Sequence, residues 1–374
     1  MIEVVDLLFL TFLFLFVGIY GVFLCYVTFS SRKPWGLKID GAFEPNISIL
    51  IPVHNEERII ESKLENVRDV LYPKQKMEII VADDASDDKT LLLVENFIKN
   101  NPELGIKIIK QVEHEGKSAA LNKALLTTTH EIVIVTDADT TWQKDLLKKA
   151  LPYLSDSKIG AITCGGVNTN SDQSWVTKAE KSYLNLANLI RLGESKAHST
   201  IRFEGGFCAY KKGAFDEFDR ETGSDDSGTA LKVIQNHYRT ILIPEVLFYT
   251  TFPTHFRGKI KTKLRRATQL MSLWLTCLNL LTKKRLLLPK RIAIPEILLF
   301  VFVPWVFIAL AASTVTMIVL FPFSLFSIAV LVVIVGLLVL ARNIFFEVVI
   351  DNFILAVASI NLLFGKHYVA WGKA

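Results

Sequence analysis

Three stretches decide the fold: ISILIPVHNEE (residues 47–57), MEIIVADDASDD (residues 77–88) and EIVIVTDAD (residues 131–139). Each begins with a short, nearly uninterrupted apolar run rich in Ile and Val, and each closes on acids. Such runs suit parallel strands buried on both faces. A charged helical stretch up to residue 70 follows the first. Helical patterns at residues 89–99 and 118–126 flank a further strand at residues 106–111. This alternation predicts a doubly wound α/β sheet. Ligands on such sheets sit beyond the C-terminal ends of the strands, so the polar residues there are the candidates for chemistry.

After residue 153 the pattern is less regular. IGAITC (residues 159–164) reads as a strand, residues 175–192 and 226–237 as helices, residues 202–210 as a loop with paired glycines, and residues 240–249 as a strand pair.

The chain of 374 residues is 51% hydrophobic with mean hydropathy +0.36, too apolar for an ordinary soluble enzyme. The excess lies at the two ends. Residues 5–29 are one apolar run, long enough to cross a bilayer. It lacks the basic start and small-residue cleavage site of a signal peptide. Arg32 and Lys33 follow directly, which by the positive-inside rule places the N-terminus outside and the next domain in the cytoplasm. Residues 295–341 hold enough apolar sequence for two spans, with a turn near Phe321 and Pro322. Residues 343–364 are long enough to span or to lie flat, and carry Glu347 and Asp351 on one helical face.

The net charge is only +5, but cations cluster at Lys259, Lys261, Lys263, Arg265 and Arg266, and at Lys283, Lys284, Arg285, Lys290 and Arg291. Their place before the apolar block suits membrane lipids at a cytoplasmic surface, and no interleaved aromatics suggest nucleic acid. In QLMSLWLTCLNLL (residues 269–281), polar residues recur at helical spacing. The stripe suits a helix in the membrane interface or, alternatively, a buried core helix. Four cysteines (Cys25, Cys164, Cys208, Cys277) have neither metal nor disulfide spacing and read as small buried hydrophobes.

One acidic turn is explained by solvation. Three, at equivalent ends of three strands, need a cation to tolerate one another, and Asp137-Ala138-Asp139 has hard oxygen ligands for Mg²⁺ or Mn²⁺ bridging two phosphates.

With these motifs in this order, the chain resembles the family-2 glycosyltransferases, α/β enzymes of the GT-A (Rossmann-like) fold. It is most similar to their membrane-integrated members, which make polysaccharides or glycolipids. The resemblance implies a cytoplasmic catalytic domain flanked by transmembrane helices, in a multi-pass cell-membrane protein. The expected organisation is an N-terminal span (residues 1–30), a linker (31–45), the catalytic domain (46–254), an amphipathic interface helix with a basic segment (255–291) and a C-terminal region of two or three spans (292–374).

The resemblance also implies roles. Pro52, His54 and Glu56 lie in the segment that matches the family's Pro-x-Tyr-Asn-Glu signature at the nucleotide, with His54 in the Tyr position. Asp84 matches the acid that reads the base, with Asp83 its neighbour, and Lys117 matches a Gly-Lys at the nucleotide. Asp139, with Asp137, matches the metal-binding Asp-x-Asp, and Asp137 also faces the nucleotide. Gly205 and Gly206 resemble the acceptor-side loop. Ser224-Asp225-Asp226 stands where the family has Thr-Glu-Asp, which makes Asp226 the expected general base and puts Asp225 on the acceptor side. In Lys263-Leu264-Arg265-Arg266-Ala267, Arg266 matches the arginine of a Gln-x-x-Arg-Trp motif, as a diphosphate partner. Lys263 and Ala267 replace the glutamine and tryptophan, which weighs against processive polymer synthesis.

The function so implied is inverting, metal-dependent transfer of a sugar from a nucleotide donor, UDP-linked by family prevalence, to a lipid-linked acceptor. The alternatives are a secreting polysaccharide synthase and a catalytically dead nucleotide-sugar-binding scaffold.

Overall fold

The computed structural model describes residues 2–365. Its centre is one mixed sheet of eight strands: β1 (Ile47–Val53), β2 (Met77–Asp83), β3 (Ile106–Lys110), β4 (Ile132–Val135), β5 (Thr141–Trp142), β6 (Ile159–Asn168), β7 (Cys208–Lys211) and β8 (Arg239–Thr250). The spatial order is β3-β2-β1-β4-β7-β6-β8-β5. The first four neighbours are parallel, as the apolar runs require, while β7 runs antiparallel to both β4 and β6.

Side chains alternate between the sheet's two faces with period two. Ile47, Ile49, Ile51, Ile79, Val81, Ile132 and Ile134 enter one core, with α2 (Ile60–Arg68), α3 (Thr90–Asn100) and α5 (Leu146–Ala150). Leu50, Ile80, Ala82, Val133 and Val135 enter the other, under α4 (Lys117–Leu125) and α7 (Asp225–Gln235). Register brings Val53 beside Asp83 and Leu50 beside Val135. The acidic segments after β1, β2 and β4 therefore emerge at one edge.

The irregular half differs from expectation in two places. The segment expected as a loop up to Tyr210 ends in strand β7. The segment expected as a strand pair is the single strand β8. Its pairing with β6 jumps from Ile243 to Leu247, so Pro244, Glu245 and Val246 form a bulge and not a hairpin. Proline has no N–H to give a ladder, and a bulge removes it from the pairing.

Around the sheet stand long helices. α1 (Ile2–Ser31) crosses α6 (Trp175–Ala197) so closely that a Cβ on Gly193 would collide with the Val27 carbonyl. Beyond α8 (Phe256–Thr282), α9 (Lys290–Ile297) contains Pro295 and passes through a π-turn at Leu298–Phe302 into α10 (Val303–Leu320). The chain turns at Phe321 into α11 (Leu325–Leu340), and α12 (Arg342–Leu363) follows. Three helical stretches, Ile2–Ser31, Lys290–Leu320 and Arg342–Leu363, are long and apolar enough to be candidate spans, whereas α11 is shorter. Cys25 departs from the expected burial and lies exposed on α1, while the other three cysteines are buried.

Two expectations about α8 need correction. Its apolar side is no free membrane face: Met271, Leu273, Trp274 and Cys277 are buried, mostly in a core shared with Ile234, Ile292 and Ile297. Its basic start does not face outward as a unit either. Lys259 and Lys263, one turn apart, are buried against Glu347 and Asp351, also one turn apart, on α12. Lys263 Nζ lies 2.5 Å from Glu347 Oε2, 2.8 Å from Asp351 Oδ1 and 3.2 Å from Glu180 Oε2 on α6, and Lys259 pairs with Glu347. The i,i+4 spacing on both helices makes the two ladders interlock. Charges that look expensive in an apolar segment are thus neutralised pairwise.

Replacing Glu347 by Gln strips the shared partner from two buried ammoniums and should destabilise the fold by about 3–5 kcal/mol. Thermal unfolding in detergent measures it. An unchanged midpoint would mean that the ladder contributes nothing to stability.

Candidate active site

The site is a cleft at the sheet edge where β1, β2 and β4 end. Its first wall comes from the segments after β1 and β2, which hold each other. Asn55, in the left-handed region (φ 56°), donates its N–H to Ser86 Oγ at 3.0 Å and accepts the Asp87 N–H at 2.9 Å. Pro52 lies buried within β1, and the Glu56 N–H donates to Thr90 Oγ1 at 2.8 Å. His54 donates through Nδ1 to the Asp84 carbonyl at 2.8 Å, and its ring stacks on His114 with centroids 4.1 Å apart.

Asp84 is fully buried. Its Oδ1 and Oδ2 accept the N–H groups of Glu115 and Gly116, each at 2.9 Å, and Oδ2 also lies 2.8 Å from His114 Nδ1. Its carboxylate thus holds the 114–116 loop in place. Buried Asp83 faces the Ser86 N–H, 3.3 Å from each carboxylate oxygen.

That loop delivers Lys117. Gly116 takes φ 97°, a conformation that favours glycine, and α4 starts at the next residue. Lys117 Nζ reaches 2.7 Å from Asp137 Oδ1, after β4, and 2.9 Å from Asp225 Oδ2, at the start of α7. Burial works against its charge, yet Asp137, Asp225 and Asp226 hold the ammonium well above the ordinary lysine range. Desolvation works against the charge of half-buried Asp137, but Lys117 keeps its carboxyl below the usual value. Asp225 moves the other way. Burial, Asp226 and Asp137 outweigh Lys117 and push it up to about 6.

Asp226 sits in the first turn of α7, where its Oδ1 accepts Ser224 Oγ at 2.7 Å and the Ser227 N–H at 2.6 Å. A helix N-terminus favours such carboxylates. Asp139 is exposed at the mouth, with its carboxyl raised by the desolvating cleft and by Asp137.

The opposite wall is glycine for steric reasons. A Cβ on Gly205 would strike the Asp137 carboxylate, and one on Gly206 would strike the Phe248 ring. The Asp137 N–H donates to the Gly205 carbonyl at 2.8 Å, which ties this loop to the Asp-x-Asp turn.

Above them α8 contributes arginines. Arg266 acts electrostatically on Asp139, and Arg265 on Asp137, Asp225 and Asp226. Sequence reading missed Arg265, although it adjoins Arg266 on the same helical turn. Lys263, from the same matched stretch, points away into the α12 ladder. Lys63 was missed too. It lies on α2, buried under the Asp-x-Asp turn, and burial pushes its ammonium down to about 7. Nothing in its local sequence separates it from the exposed lysines.

A divalent cation fits these residues. Among the described residues no three His, Cys, Asp or Glu side chains converge into a complete cage. Asp139 and Asp137 instead make a donor set of one or two carboxylates, which is how Mg²⁺ is held when substrate phosphates complete its shell.

The likenesses to known proteins agree with this geometry. The family model described as glycosyl transferase family 2 matches residues 48–219. The chain is 30% identical over 166 residues to the beta-monoglucosyldiacylglycerol synthase of a Nostoc species, a match covering 44% of this chain and 35% of that protein. It is 26% identical over 255 residues to a poly-beta-1,6-N-acetyl-D-glucosamine synthase of Staphylococcus aureus, covering 67% of this chain and 60% of that one. The chain thus spans 35% and 60% of the length of these two relatives. Among solved structures, mannosyltransferase PcManGT from Pyrobaculum calidifontis, in complex with GDP-Man and Mn²⁺, superposes with a TM-score of 0.83 at 28% identity. That match covers 97% of this chain and 100% of PcManGT. Over residues 48–219 the chain is therefore similar to glycosyltransferase family 2, in fold, in the motifs at its sheet edge and in these matches.

Proposed function

We propose that the protein transfers a sugar from a nucleoside-diphosphate donor to a hydroxyl of a membrane-associated, lipid-linked acceptor, with inversion at the anomeric carbon. The observation that carries the reading is the Lys117 ammonium bound between Asp137 and Asp225, beside the glycines that pack against Asp137 and Phe248.

In this reading Asp226 is the general base. It takes the proton of the acceptor hydroxyl as that oxygen bonds to the anomeric carbon. The bond from that carbon to the phosphate oxygen breaks, and its electron pair leaves on the nucleoside diphosphate. One displacement of this kind inverts configuration. Lys117, Arg265 and Arg266 face the diphosphate and stabilise its growing charge. Mg²⁺ or Mn²⁺, held by Asp139 and Asp137, would supply further neutralisation of that leaving group. His54 and His114, with Pro52, Glu56, Asp83 and Asp84 behind them, form the nucleotide side. Gly205 and Gly206 form the acceptor side.

GDP-mannose is the donor that the full-length likeness to PcManGT supports, and UDP-sugars are the alternative. Arg32 and Lys33, directly after α1, support a cytoplasmic catalytic domain, and the candidate spans support a multi-pass membrane protein. The similarity to the poly-N-acetylglucosamine synthase favours polymer synthesis as a second reading. Against it stand Ala267 and the pairing of Glu347 and Asp351 with lysines, which leaves them poor linings for a polymer channel.

Membranes containing the protein, given radiolabelled GDP-mannose and UDP-sugars with Mg²⁺ or Mn²⁺, should yield label that partitions into organic solvent. High-mass, insoluble label would support the polymer reading, and no transfer from any donor would reject the enzyme reading. Asp226→Asn should lower turnover by about a hundred- to ten-thousand-fold. Asp139→Ala should abolish metal-dependent donor binding, and full activity in either variant removes the role given to that residue.

Activity should also fall as pH drops through about 6, because protonated Asp225 no longer pairs with Lys117. A pH–rate profile of Asp225→Asn should lack this acid limb. If the limb persists unchanged, it belongs to another group.

A further inference from the structure

Lys63 stands at the base of the cleft and touches no position open to substrate. Its ammonium is buried and donates to Thr136 Oγ1 at 2.5 Å, to the Thr140 carbonyl at 2.9 Å and to Thr140 Oγ1 at 3.2 Å. These acceptors bracket Asp137 and Asp139. Where Nζ donates to them, each threonine hydroxyl turns its own hydrogen away from Lys63. The Thr136 hydrogen then goes to the Gly206 carbonyl at 2.9 Å, and that of Thr140 to the Asp137 carbonyl at 2.9 Å. Trp142, whose ring lies 4.9 Å from the ammonium, also donates Nε1–H to the Gly206 carbonyl at 2.7 Å. The Asp137 N–H closes the circuit on the Gly205 carbonyl.

We infer that Lys63 is a positioning residue that fixes the Asp-x-Asp turn and the Gly205–Gly206 loop to each other through oriented hydroxyls. The inference rests on the proposed roles of Asp137 and Asp139 in holding donor and cation. A structural account, in which Lys63 only fills space, does not explain the geometry. A buried lysine is an expensive filler, and methionine of similar length would pack there without desolvating a charge. Three directed hydrogen bonds to one turn specify orientation instead. Lys63 acts on both sides of the reaction at once, through Asp137 toward the donor and through Gly206 toward the acceptor.

The test uses the full chain in detergent or membranes and compares Lys63→Met, Thr136→Val and Thr136→Ser with the wild type. Two readouts are taken: Mn²⁺ binding by electron paramagnetic resonance with GDP or UDP present, and kcat and KM for the donor. Lys63→Met should keep or raise the thermal midpoint while weakening Mn²⁺ binding and lowering turnover by about 10–100-fold each, the range typical of groups that orient metal ligands. Thr136→Val should match it, and Thr136→Ser, which keeps the hydroxyl, should recover most of the loss. Wild-type Mn²⁺ binding and kcat in Lys63→Met would overturn the inference. If Lys63→Met does not fold, the threonine pair decides, and equal impairment of Ser and Val would overturn it. Asp139→Ala is the control for the underlying reading. Undiminished Mn²⁺ binding there removes the cation site and the inference with it, whereas loss in Asp139→Ala but not in Lys63→Met sinks the inference alone.

Discussion

Parallel register of β1, β2 and β4 forces carboxylates together, and most of the site is a response to that crowding. Asp83, Asp84, Asp137 and Asp139 emerge at one sheet edge, and the start of α7 adds Asp225 and Asp226. Like charges a few ångströms apart in a partly desolvated cleft repel by several kcal/mol. Each acid is handled differently. Asp84 is consumed by backbone N–H groups and His114. Asp137 and Asp225 share Lys117, and Asp139 stays at the mouth within the field of Arg266. The uneven treatment sets the pKa values apart, with Asp137 held low and Asp225 raised. Such divergence separates structural, binding and proton-transferring roles among like residues.

The helices outside the sheet bear on the same edge. α8 carries Arg265 and Arg266 toward the acids, and one turn earlier carries Lys259 and Lys263 into the carboxylates of α6 and α12. One helix thus divides its cations between anchoring and the cleft. The placement of the arginines depends on ion pairs made with a candidate span, which ties the catalytic domain mechanically to the apolar helices. Gly193 of α6 against Val27 of α1 makes a second tie, by close backbone approach.

Much of this was legible in the linear sequence. The buried strands, their order, and the acids and Lys117 after them follow from hydrophobic period and from punctuation by polar turns, which act over a few residues. The candidate spans follow from length and apolarity alone. The irregular second half was harder, because β7 and the bulged β8 are fixed by pairing with distant partners. The expected strand pair at residues 240–249 is one strand, with Pro244 accommodated in its bulge.

Pairwise electrostatics across the fold lay beyond that reading. Sequence alone determined which residues could carry charge and which edge of the sheet they would reach. Only the tertiary structure decided that Lys63 is buried under Thr136 and Thr140, that Asp84 is turned inward, and that Lys259 and Lys263 face carboxylates rather than lipid headgroups. The physical reason is range. Hydrophobic periodicity is written within one helix or strand, whereas the desolvation and pairing of a charge depend on what other elements, distant along the chain, bring against it.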